Sequence, residues 1–279
     1  MKIKILLLIS YILLLGCSSI IPKLISFEDL PTPSGKYSVG TQIFNWTDST
    51  RYEWFTEQNI NDQRKLVIQI WYPTNVDSKE KYPYIDNPGK RLGPLSEQVE
   101  LPEFMIRHIQ GIRTNSSLNV PIHPDIASLP VILFSHGLGG MKAQNTAQVE
   151  ELVSHGYFVI APDHPFDANI TIFDDGTVAD YRSGITFLQA KRGKGVELTE
   201  KDFWDFRLPQ INTRTADIRY LLDELESRQR SGKMPWAKID LNRVGVFGHS
   251  YGGATSVMVS HIDKRIDACI ALDGWNVPI

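Results

Sequence analysis

The sequence predicts an α/β fold, a mostly parallel, doubly wound sheet with helices on both faces. Three observations lead there. Short apolar runs alternate with longer stretches of helical periodicity, the pattern of strand–helix–strand crossovers. Residues 131–135 (VILFS) form an uncharged, almost wholly apolar run, as a strand buried on both faces requires. Residues 243–247 (RVGVF) then pass through Gly248-His249-Ser250-Tyr251-Gly252 straight into a helical segment at 254–261. A G-x-S-x-G between a strand and a helix is a turn so tight that its serine adopts strained backbone angles and lifts its hydroxyl clear of the sheet.

Composition sets the frame. The chain has 279 residues, 42% hydrophobic and 22% charged, enough for one large domain. A net charge of −3 gives no reason to expect a nucleic-acid partner. Lys2 and Lys4 precede an apolar run at 5–15 that is short for a bilayer span. Leu14-Leu15-Gly16-Cys17 follows and resembles the lipobox of bacterial lipoproteins. That resemblance implies a signal peptide at 1–16, a lipidated Cys17 and a tether at 17–35. The domain proper would occupy 36–279, held on a membrane of the bacterial cell envelope and facing out of the cytoplasm. An uncleaved anchor or an ordinary secretory signal is the alternative. Cys269, inside an apolar run, reads as a small core residue. No Cys/His cluster has metal spacing, so neither metal nor cofactor is expected.

Taken in order, 39–46 and 66–72 (LVIQIWY) read as the first strands. Residues 75–129 form a long excursion, with a helix expected at about 96–112. The strand at 131–135 leads to an amphipathic helix at 143–155, closed by Gly156, and to a strand at 157–161. A second excursion, 164–209, holds a hairpin turning at Asp174-Asp175-Gly176. Ile211, Thr215, Ile218, Leu221, Leu222 and Leu225 recur at helical spacing, so 211–227 is a helix with a stripe for the sheet. The strand–turn–helix around Ser250 follows, and a strand at 266–272 ends at Asp273. The two excursions could form a lid or a membrane-facing surface; Leu101, Phe104, Met105 and Ile106 could touch lipid, though a short amphipathic helix is more often core.

Chemistry-bearing residues follow the strands, as ligand sites do in such sheets. His136 follows one, Asp163 ends near another, and Ser250 and Asp273 follow two more. A serine nucleophile needs a base, held in one tautomer by a carboxylate. Asp273 is placed for that carboxylate, or else caps the Asp273-Gly274 turn. An oxyanion needs two N–H donors. Tyr251 N–H, at a helix start, would be one. Leu138 N–H, in His136-Gly137-Leu138-Gly139-Gly140, would be the other, unless that segment is a plain glycine loop.

Five segments in order resemble the plasma-type platelet-activating factor acetylhydrolases and their bacterial relatives, within the α/β-hydrolases. They are Gly35-Lys36-Tyr37-Ser38-Val39-Gly40, Trp71-Tyr72-Pro73, Ser135-His136-Gly137-Leu138-Gly139, Gly248-His249-Ser250-Tyr251-Gly252-Gly253 and Ala271-Leu272-Asp273-Gly274-Trp275. The resemblance implies an α/β-hydrolase fold. It also implies a calcium-independent serine esterase that removes short or oxidised acyl groups from phospholipids, with Ser250 as nucleophile and Asp273 as triad acid.

One departure stands out. The family order is Ser, Asp, His, yet all seven histidines precede Asp273. His249 cannot turn back onto its neighbour, His136 fits a structural role beside the glycine loop, and His164 would break the order. His108, His123, His155 and His261 read as solvated or capping residues. The expectation is therefore an incomplete chain, lacking the last strands and the histidine-bearing segment, with 266–272 left as an exposed apolar edge. A polyester-type or general short-chain esterase is the rival enzyme reading. A catalytically dead lipoprotein that binds lipid or a partner is the non-enzymatic one.

Overall fold

In the computed structural model, residues 29–56, 59, 61–184 and 199–275 are described. The signal-peptide reading of residues 1–16 and the lipidation reading of Cys17 lie outside them.

Nine strands and five α-helices are described: β1 (Ser38–Tyr52), β2 (Gln63–Thr74), α1 (Pro88–Gln98), α2 (Glu103–Ile106), β3 (Ser116–Leu118), β4 (Leu129–Ser135), α3 (Thr146–Ser154), β5 (Phe158–Asp163), β6 (Ile170–Ile172), β7 (Val178–Asp180), α4 (Glu200–Arg230), β8 (Ile239–His249), α5 (Tyr251–Ile262) and β9 (Ala268–Leu272). Seven strands form the main sheet, in the order β3-β1-β2-β5-β4-β8-β9. β5, β4, β8 and β9 run parallel, whereas β2 pairs antiparallel with both β1 and β5. β6 and β7 make the separate hairpin around Gly176.

The sheet is covered on both faces. On one, Ile218, Leu221, Leu222 and Leu225 of α4 and Val259 of α5 pack with Leu66, Ile68, Val131, Leu133, Ile160 and Val246. On the other, Val149 and Val153 of α3 pack with Trp71, Phe134, Val159 and Phe247. Successive strand residues face opposite sides, so uncharged strands serve both layers. Each fully buried aliphatic side chain on the α4 stripe contributes about 1.5–3 kcal/mol.

Two helices differ from expectation. The helix expected at 96–112 is instead α1, starting earlier, then α2 and a 3-10 turn at Arg107–Gly111. Glu100 adopts a left-handed φ of 54°, and Pro102 cannot continue a helix from the preceding turn. These pieces bury Leu92, Ile106, Ile109 and Ile112 with Ile85 in a small core of their own, while Phe104 stays exposed. α4 is longer than the stripe suggests. Its start is set by a capping box, in which Thr199 and Asp202 each bond the other's backbone N–H.

A buried ionic cluster ties the first excursion to the sheet. Arg91 of α1 and Lys142 both reach Asp86 and Asp163, and Asp163 also accepts Lys142 N–H at 2.6 Å. Asp163 thus anchors the excursion at the end of β5.

Candidate active site

β8 runs into α5 with Ser250 alone between them, at φ 54° and ψ −121°. A non-glycine residue at such angles carries on the order of 1–3 kcal/mol of strain, held by its surroundings. Here Ser250 N–H donates to Leu272 O at 2.9 Å, while Ser250 O accepts from Gly253 and Ala254 N–H at 2.9 and 3.2 Å. The flanking glycines are dictated by space. A Cβ on Gly248 would drive into the Gly252 carbonyl, and one on Gly252 into the carbonyls of Ser135 and His136. The Ser250 side chain is partly exposed, and no described group is hydrogen-bonded to it.

The glycine loop reaches this serine. A Cβ on Gly137 would lie 3.3 Å from Ser250 Cβ. Three of the loop's amides are taken: Gly137 N–H by Gln144 Oε1 at 2.9 Å, Gly139 N–H by Asp167 O at 2.8 Å and Gly140 N–H by Gly137 O at 3.0 Å. Leu138 N–H has no acceptor among the described residues, and neither has Tyr251 N–H at the first position of α5. Two uncommitted donors therefore stand on the two segments that meet at Ser250, one of them at the positive end of a helix.

Asp273 stands at the end of β9 with φ 49°. Its turn is stitched to the elbow by the Ser250–Leu272 bond and by Trp275 N–H donating to Ser250 O at 3.4 Å. The Asp273 side chain is exposed and has no hydrogen-bond partner among the described residues. Ser250, Leu138, Tyr251 and Asp273 are thus drawn to one rim of the sheet, at the carboxyl ends of β4, β8 and β9.

The histidines are engaged elsewhere. His249 Nδ1 lies 3.3 Å from Gln144 Nε2. His136 is fully buried. Its Nε2 accepts His164 N–H at 3.0 Å, so its Nδ1–H donates to Gly137 O at 2.6 Å. Burial, Arg214 and His164 hold its pKa well below the ordinary imidazole range. It braces the glycine loop, as its sequence position suggested. His164 is equally buried. Its Nδ1–H donates to Asp217 Oδ2 at 2.8 Å, and its Nε2 accepts from Ser135 Oγ–H at 3.0 Å. Burial and Arg214 push its pKa down to about 4 against the pull of Asp217. His164 therefore serves a buried serine and not Ser250. His155 bonds Glu151 at 3.0 Å, and His261 is exposed.

Sequence reading missed this interior chain. Asp217 is also bound by Arg64 at 2.7 Å and Arg51 at 2.9 Å, and Arg64 binds Glu53 at 2.5 Å. Burial pushes the Asp217 carboxyl up, but Arg64, His164 and Arg51 outweigh it and hold it below the usual carboxylate range. One signal was present: Arg214 and Asp217 fall among Ile211, Ile218, Leu221 and Leu222 on the buried side of α4, which also carries Arg207, Gln210 and Thr215.

A family model described as platelet-activating factor acetylhydrolase, isoform II, matches residues 25–279. The platelet-activating factor acetylhydrolase of Canis lupus familiaris is 26% identical over 271 residues, covering 90% of this chain and 56% of its own length. The probable 1-alkyl-2-acetylglycerophosphocholine esterase of Arthroderma benhamiae is 27% identical over 259 residues, covering 88% of this chain and 58% of its own. The chain thus spans little more than half the length of these relatives. A solved ferulic acid esterase from Streptomyces cinnamoneus superposes with a TM-score of 0.61 at 26% identity, over 86% of this chain and 60% of that one. The mostly parallel sheet, the elbow at Ser250 and that superposition identify the α/β-hydrolase fold. With the family model running from residue 25 to residue 279, the chain belongs to the platelet-activating factor acetylhydrolase, isoform II, family.

Proposed function

We propose that this chain carries the nucleophile and oxyanion side of a serine carboxylic-ester hydrolase. Its substrates would be short or oxidised acyl esters, those of phospholipids above all. The observation that carries the reading is the strained Ser250, set against two amides with no described acceptor. In this reading Ser250 Oγ attacks the ester carbonyl and its proton passes to a base supplied from outside the described residues. The carbonyl oxygen, now an anion, is received by Leu138 and Tyr251 N–H, worth a factor of about 10²–10³ per donor. Collapse of the tetrahedral intermediate expels the alcohol and leaves an acyl group on Ser250, which water then removes. Asp273 would orient the base. The names of the relatives support the phospholipid acetyl ester as substrate class. Cys17, lipidated, would hold the enzyme on a membrane of the bacterial envelope, close to that substrate.

The test is labelling of the purified chain by a fluorophosphonate, alongside hydrolysis of a short-acyl phospholipid. Ser250-dependent labelling, abolished by Ser250→Ala and quickened by added imidazole as a stand-in base, is expected, with turnover where such a base is supplied. Absence of labelling in the unmodified chain would refute the hydrolytic reading and favour a lipid- or partner-binding role.

A further inference from the structure

We propose that Arg214 is a positioning residue that sets the two oxyanion amides in register. This rests on the reading of Leu138 and Tyr251 given above. Arg214 projects from α4 and is fully buried. Its Nη2 donates to Ser135 Oγ at 3.1 Å and to the His136 carbonyl. That carbonyl belongs to the peptide immediately before Gly137, so holding it fixes the plane from which the loop departs toward Leu138 N–H. The same guanidinium lies 5.3 Å from the centroid of the Tyr251 ring, the side chain of the other donor residue. One cation therefore touches both arms of the candidate oxyanion hole.

The anchoring is directional. Asp217 accepts from His164 Nδ1–H, which leaves Nε2 to accept the Ser135 hydroxyl proton. The lone pairs of Ser135 Oγ are thereby turned toward Arg214. Stability does not account for this placement. The nearest described carboxylate, Asp167, is 3.7 Å from Nη1, and both Nε and Nη1 lack a hydrogen-bond partner among the described residues. A buried guanidinium held so incompletely adds little to folding. Its good hydrogen bonds all go to the end of β4 and the start of the loop. The close fit of Gly252 against the Ser135 and His136 carbonyls means that a shift of either carbonyl is felt by α5.

The test compares Arg214→Met, Arg214→Lys and Ser135→Ala with the parent chain by two readouts. For hydrolysis of a short-acyl phospholipid, Arg214→Met is expected to lower kcat about 100-fold with KM changed less than about twofold, since a small misplacement of donors acts on the transition state. Arg214→Lys, which keeps the charge and a donor, recovers part of the loss. By amide hydrogen exchange, the bonded amides of Gly137, Gly139 and Gly140 exchange faster in Arg214→Met, while those of the α4 stripe keep their protection. Raised KM with unchanged kcat, or unaltered exchange in the loop, overturns the proposal. A parent chain without Ser250-dependent labelling refutes the hydrolase reading alone, and the exchange data still decide the role of Arg214. Should Arg214→Met fail to fold, Arg214→Lys and Ser135→Ala decide it through the same loop amides, with faster exchange expected in both.

Discussion

β8 has two unlike flanks. On the side of β4, the strand end is buried and wired: Arg214, Ser135, His164, Asp217 and Arg64 are all fully or almost fully buried, and hydrogen bonds link them in that order. On the side of β9, that strand is the edge of the sheet among the described residues, with Ile270 61% exposed and Asp273 exposed. The same serine sits between them. The difference teaches that the elbow is held by two separable means. Local backbone bonds from the β9 turn fix its angles, and a long-range polar lattice fixes the loop that faces it. The lattice is the rigid half of the site, because every buried polar group in it depends on its neighbour.

The comparison can be broken at its strongest point first. Replacing Asp217 by alanine strips partners from Arg64 and His164 in the interior, and should cost about 3–5 kcal/mol in urea unfolding. A loss under about 1 kcal/mol would mean that the lattice is dispensable. Acid should loosen the same flank more gently. The folded-state pKa of His164, about 4, lies below its ordinary 6.5, so the unfolded chain takes up the proton first. Stability from this group is therefore complete above about pH 6.5 and is lost as the pH falls toward 4. Asp217, held low, adds a further loss in still stronger acid. Urea midpoints at about pH 7 and about pH 4.5 that coincide would contradict this assignment. On the open flank the smallest effect is expected. Ile270→Lys should shift stability by no more than about 0.5 kcal/mol and should reduce self-association seen by light scattering. A large destabilisation would show that this flank is covered in solution.

Much of the architecture was legible because it is written locally. The strand–serine–helix elbow, the hairpin at Gly176 and the stripe on α4 each lie within a few turns or strand residues of one another. The helix expected at 96–112 is not continuous, since a left-handed Glu100 and Pro102 part α1 from α2, which runs directly into the 3-10 turn at Arg107–Gly111. The interior lattice was not legible at all. His164 and Asp217 are 53 residues apart, Ser135 and Arg214 are 79 apart, and Arg64 and Asp217 are 153 apart. Only the charges set among the apolar residues of α4 hinted at it.

By itself, then, the amino-acid order determined the wound α/β class, the contorted serine and the glycine loop, because sheet sterics and backbone angles depend on near neighbours. Which histidine meets which carboxylate, and which amides stay unclaimed beside Ser250, was decided only in three dimensions. Those pairings join distant segments, and burial in a low-dielectric interior is what gives them their strength.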